Sequence, residues 1–139
     1  LVLDLAVGTG YSTVVLSRLA AAVIAVEADP ALARTAARMI EELDLDNVVL
    51  TEGAPAEGAA QHGPYDVIFI NGAIQRVPEA LVDQLKDGGR LVAIYVDEST
   101  SQCRLFRKSG TSFSGRYAFD ASALLLDGFR KESAFVFEA

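Results

Sequence analysis

The sequence predicts one open α/β domain over residues 1–139: a doubly wound, mostly parallel sheet with helices on both faces and an antiparallel C-terminal edge. Three observations predict it. Up to residue 96, short apolar runs alternate with amphipathic segments in strand–helix–strand order. The run "YDVIFI" (65–70) is nearly continuous in apolar residues, as in parallel strands covered on both sides. After residue 101 the pattern changes to two closely spaced strands, "QCRLFRKS" (102–109) and "SGRYAF" (114–119), which read as a hairpin.

The elements follow in order. Leu1–Ala6 is a short strand interrupted by Asp4, and the small-residue turn "AVGTGYS" follows it. Ser12–Ala20 reads as a helix with Val15, Leu16, Leu19 and Ala20 inward and Arg18 outward. Val23–Val26 is a second strand, closed by Glu27. The segment "DPALARTAARMIEELDL" is a helix: Asp29 suits the N-cap, Pro30 the first position, and Leu32, Ala36, Met39, Ile40 and Leu43 form the inward stripe. Asn47–Thr51 is the third strand and 65–70 the fourth. Pro78–Leu85 is a short helix ended by the "KDGG" turn, 90–96 the fifth strand, and "SAFVF" (133–137) a last strand after the hairpin.

Composition narrows the function. Twelve Lys and Arg against nineteen Asp and Glu give a net charge of −7, which argues against a nucleic-acid surface. Arg104, Arg107 and Lys108 are the nearest approach to a basic cluster and read as a solvated strand face. Cys103 is the only cysteine, so an internal disulfide and a multi-cysteine zinc site are excluded; it reads as a small buried thiol, and no metal is expected. His62, the only histidine, lies in a loop, and no nucleophile elbow accompanies it. The longest apolar run, Leu19 to Val26, is too short to span a bilayer, and no secretory signal is visible. A cytoplasmic monomer without membrane contact is the expectation.

The turn after the first strand is the place for chemistry, because in open α/β sheets ligands sit beyond the carboxyl ends of the strands. Gly8 and Gly10 let a ligand approach the backbone, and the following helix points free N–H groups at the same space. A dinucleotide fingerprint requires a third glycine where Thr13 stands, and a P-loop requires a lysine that this region lacks. S-adenosylmethionine, which carries no phosphate, remains. It fits Asp4 before the turn and Glu27, 17 residues after Gly10, where a carboxylate can accept from both ribose hydroxyls.

The stretches "LDLAVGTGY", "VEADPALA", "PYDVIFINGAIQRVPEALVDQLKDGGRLV" and "FDASALLLDGFRKESAFVF" resemble the bacterial protein-L-isoaspartate O-methyltransferases, over essentially the whole chain. The glycine turn alone would say only class I methyltransferase; the 64–92 segment makes the likeness specific. The resemblance implies a Rossmann-like fold and methyl transfer from S-adenosylmethionine to the α-carboxylate of L-isoaspartyl residues in damaged proteins. The ester then closes to a succinimide that reopens partly to aspartate. By the same resemblance Asp4, Gly8 and Gly10, with Tyr11 closing the motif, belong to the first cofactor motif, Glu27 is the ribose acid, and Asn71 lines the methyl-transfer cleft.

The chain departs from the family pattern at Ala6, in place of the first glycine, and at Ala54, in place of the aspartate that accepts from the adenine amino group. Losing that hydrogen bond costs about 0.5–1.5 kcal/mol. The resemblance also implies hydroxyl-bearing residues before the first strand, beside the substrate. None stands in residues 1–139, so no catalytic residue is assigned and residues 1–139 alone are expected to methylate poorly. Three other readings stay open: a class I methyltransferase with another acceptor, a non-catalytic relative, and a nicotinamide-binding domain supported by fold analogy alone.

Overall fold

The computed structural model describes residues 1–131, so the strand expected at 133–137 lies outside the described residues. A seven-stranded sheet runs in the order β3-β2-β1-β4-β5-β6-β7. Its parallel strands are β1 (Val2–Leu5), β2 (Val23–Glu27), β3 (Val48–Glu52), β4 (Tyr65–Ile74) and β5 (Leu85–Val96). The antiparallel edge is β6 (Ser101–Ser109) and β7 (Ser112–Asp120). Helices α1 (Tyr11–Ser17), α2 (Pro30–Glu42) and α3 (Glu79–Asp83) complete the fold. The chain winds outward from β1 to β3 and then returns to the far side of β1, so the switch point falls between β1 and β4.

Side chains alternate across the sheet and define two faces. On one, Leu3, Leu5, Ile24, Val26, Ile68, Ile70, Leu91 and Phe106 form the main core with Leu81 of α3, Ala59 and Phe129. On the other, Ala25 packs with Val7 and with Ala36 of α2. This second face is covered over β1–β3. Further along the sheet, Phe69, Val92 and Leu105 stand level with Asp4 on the same face and are only half-buried.

Both long helical predictions need correction. Helix α1 ends at Ser17, and its buried residues are Thr13 and Ser17, whereas Val15 and Leu19 are exposed. Thr13 turns inward because buried Asp4 lies beneath it, and the Ser17 hydroxyl donates to the Val14 carbonyl. In α2 the buried residues are Ala33 and Ala36, while Leu32 and Leu43 are exposed and Met39 and Ile40 half-buried. The glycine turn approaches Ala36 so closely that only small side chains fit there. Asp29 does cap α2, its carboxylate accepting from the Ala31 and Leu32 N–H groups at 2.8 and 3.4 Å.

Two further expectations shift. Pro78 stands outside α3 as its N-cap residue, and "KDGG" lies within β5, with Gly88 at φ +83° where the pairing with β4 slips. The basic residues of β6 are not simply solvated either. Lys108 Nζ donates to the Val82 and Leu85 carbonyls at 3.0 Å each, and the Arg104 guanidinium lies 5.6 Å from the centre of the Tyr95 ring. Of the three, Arg107 alone is exposed. Cys103 is buried, which pushes its thiol pKa up.

Candidate functional site

The site is built where β1 gives way to α1. Ala6 and Gly8 adopt φ +60° and Gly10 φ +100°, so the turn winds through the left-handed region three times within five residues. Such a path suits glycine; Ala6 follows it at the expense of Cβ crowding. A Cβ on Gly10 would lie 3.3 Å from Ala36 Cβ, whereas one on Gly8 would meet nothing within 4 Å. Gly10 therefore serves packing against α2, and Gly8 faces open space.

Glu27 ends β2 beside this turn and is 7% exposed. Its Oε1 accepts from the Gly8 N–H at 2.7 Å and its Oε2 from the Asp29 N–H at 2.9 Å. Each carboxylate oxygen keeps acceptor capacity after one such bond, so further donors can be taken. The Gly53 N–H donates to the Glu27 carbonyl at 3.1 Å, which brings exposed Ala54 to the same side of the sheet. Ala54 offers no side-chain polar group there.

Asp4 is fully buried beneath the turn. Its Oδ2 accepts from Ser12 Oγ and Thr13 Oγ1, both at 2.8 Å, and its Oδ1 accepts from Asn71 Nδ2 at 2.7 Å. Burial raises its pKa above the ordinary 3.8, and the three donors oppose that shift. Thr13 thus uses the position of the missing third glycine to satisfy a buried carboxylate. Sequence reasoning missed both Ser12 and Thr13; the signal available was a polar pair facing back towards Asp4 one turn away. It also missed Asn47, whose Nδ2 donates to the Ser17 and Ala20 carbonyls at 2.8 and 3.2 Å and closes the end of α1.

Asn71 approaches from β4. Between the Phe69–Val92 and Ala73–Ile94 pairs, β4 advances four residues while β5 advances two, so Asn71 lies in a bulge. The bulge lets its amide reach across to β1, donating to Asp4 and also to the Leu5 carbonyl at 2.9 Å. Beyond it opens an apolar cleft of about 560 Å³ over β4–β7, lined by Phe69, Val92, Ile94, Cys103 and Phe119 among others. The structure thus gathers Asp4, Gly8, Gly10, Glu27 and Asn71 through direct contacts or adjacent turns. Tyr11 stands on the rim, 77% exposed. His62 is exposed in a separate 3-10 turn, Ala60–His62.

Residues 1–121 match the sequence model of the family described as protein-L-isoaspartate(D-aspartate) O-methyltransferase. The chain belongs to this family. It is 40% identical over 115 residues to the protein-L-isoaspartate O-methyltransferase of Aeromonas hydrophila, and 38% over 113 residues to that of Pseudoalteromonas atlantica. The first match covers 83% of this chain and 56% of the relative, the second 81% and 53%, so the chain spans about half the length of these relatives. Among solved structures, a protein-L-isoaspartate O-methyltransferase superposes with TM-score 0.85 at 31% identity, covering 91% of this chain and 42% of that one. A Plasmodium falciparum protein described under the same enzyme class, solved with S-adenosyl-L-homocysteine, shares the fold at TM-score 0.73 and 22% identity, covering 90% and 64% of the two chains. Among the described residues no helix is long and apolar enough to cross a membrane, and no cluster of three metal-ligating side chains occurs.

Proposed function

We propose that this chain is the cofactor-binding part of a methyltransferase that esterifies the α-carboxylate of L-isoaspartyl residues in proteins, using S-adenosylmethionine. Family membership supports the reaction, and one geometric observation supports the cofactor. Glu27 holds the Gly8 N–H while Gly8 faces open space, so a carboxylate with spare acceptor capacity borders room for a ligand at the glycine turn. In this reading Glu27 takes the ribose hydroxyls, the Gly8 backbone lies against the ligand, and Asn71 marks the acceptor side. When bound, S-adenosylmethionine supplies an electrophilic methyl group. A carboxylate is already the nucleophile, so the residues of this chain need to place the partners in line and keep water out, without a strong base. That suits a site bordered by an apolar cleft and by amide and carboxylate groups. The proposal extends to a cytoplasmic monomer acting on protein substrates, in keeping with the −7 charge that disfavours nucleic acid.

Calorimetric titration of S-adenosylhomocysteine tests it. The expected result is binding that Glu27→Ala weakens by about tenfold or more, the scale of charge-assisted hydrogen bonds. No binding to the folded protein would favour a non-catalytic relative, a reading that Ala6 and Ala54 motivate; these are then the first positions to restore.

A further inference from the structure

The Asn71 amide has a fixed orientation. Its two hydrogen-bond partners, Asp4 Oδ1 and the Leu5 carbonyl, are both acceptors, so the nitrogen must face them and both of its hydrogens are committed. The amide oxygen is left. Among the described residues nothing donates to it, and it is not among the buried polar atoms that lack a partner. Because the nitrogen side points to β1, the oxygen is on the side away from those two acceptors, and Asn71 also lines the apolar cleft. The backbone around it is held in place: the Ala73 N–H donates to the Leu124 carbonyl at 2.9 Å, and the Leu126 N–H donates to the Ala73 carbonyl at 3.0 Å.

A fixed carbonyl oxygen between the glycine turn and an apolar cleft accepts N–H groups and repels carboxylates. We propose that Asn71 Oδ1 accepts the backbone N–H of the isoaspartyl residue itself, as a specificity-determining contact; this rests on the function proposed above. In an isoaspartyl residue the free α-carboxylate and the N–H sit on the same carbon. Gripping the N–H therefore orients the carboxylate, and repulsion by the same oxygen turns that carboxylate away from Asn71. In an ordinary aspartyl residue the free carboxylate is one methylene further from the N–H, so the same grip misplaces it. The other source of an N–H donor is the cofactor's α-ammonium, and the experiment separates the two.

The test measures binding of three peptides of one sequence to the S-adenosylhomocysteine-saturated protein: isoaspartyl, aspartyl, and an isoaspartyl depsipeptide in which an ester oxygen replaces that N–H. The expected order is isoaspartyl tightest, with the depsipeptide weaker by about five- to tenfold, the effect of one lost hydrogen bond. In Asn71→Ala and Asn71→Leu the isoaspartyl peptide and the depsipeptide should bind equally, a loss of discrimination that a merely structural role would not produce. Equal binding of those two peptides by the unaltered protein overturns the inference alone. Asn71→Ala weakening S-adenosylhomocysteine while peptide discrimination persists also overturns it and assigns the oxygen to the cofactor. Equal binding of isoaspartyl and aspartyl peptides overturns the function reading and this inference together.

Discussion

Gly8 and Gly10 stand two residues apart in one turn, and replacing each with alanine should have different consequences. In Gly10→Ala the new methyl meets Ala36 Cβ at 3.3 Å and Ala36 Cα at 3.4 Å, on a residue whose φ is +100°. A non-glycine residue there carries about 1–3 kcal/mol of backbone strain. Pushing α2 away adds overpacking of about 1 kcal/mol or more. The sum, about 2–4 kcal/mol, corresponds to a fall of about 1–2 M in the urea midpoint. In Gly8→Ala only left-handed strain of about 1–2 kcal/mol applies, since the methyl enters open space. That space is the proposed cofactor seat, so Gly8→Ala should weaken S-adenosylhomocysteine binding well beyond its effect on stability. Urea titration of both variants and calorimetry on each folded form provide the comparison. Equal urea midpoints would refute the packing role of Gly10. Unaltered affinity in Gly8→Ala would refute the placement of the ligand over Gly8.

Three further outcomes are expected. Ala6 holds φ +60°, so Ala6→Gly should relieve more strain than it adds in unfolded-chain entropy and raise unfolding stability by about 0.5–1 kcal/mol, measured by urea denaturation. Asp4, with its folded pKa raised above 3.8, binds more protons in the native state; stability relative to Asp4→Asn should therefore fall as pH rises from 3.8 through the folded pKa and level off above it, which unfolding at a series of pH values would show. Asn47→Ala strips donors from the Ser17 and Ala20 carbonyls and should cost about 1–2 kcal/mol of stability, with no accompanying loss of S-adenosylhomocysteine affinity in the folded protein.

The parts of the fold that burial of apolar side chains decides were legible in the sequence. Val23–Val26 and 65–70 are strands because they are apolar on both sides, and Glu27 closes β2 as expected. Periodicity failed where the inward face is polar or small. Thr13 turns inward on α1 because the buried Asp4 carboxylate requires donors, Ser17 does so with its hydroxyl returned to the Val14 carbonyl, and Ala36 does so on α2 because the glycine turn lies against it. The bulge at Asn71 has no local signal, since it depends on how β4 pairs with a neighbour about twenty residues later. The closeness of the glycine turn to Glu27 was readable from spacing, and the hydrogen bond from the Gly8 N–H to Glu27 shows it. The link from Asp4 to Asn71 spans 67 residues and becomes visible only when β1 and β4 are side by side.

Glu27 joins the β1–α1 turn to the β2–α2 turn through two short hydrogen bonds, both made to backbone N–H groups of this chain. The two loops that would close on a nucleoside are thus already immobilised relative to each other. The entropy of ordering them is spent during folding, so association at this end of the sheet should draw mainly on the ligand's own lost freedom. A small molecule with several rotatable bonds then gains most by arriving in one preferred shape, and rigid nucleoside analogues should show the advantage as slower dissociation.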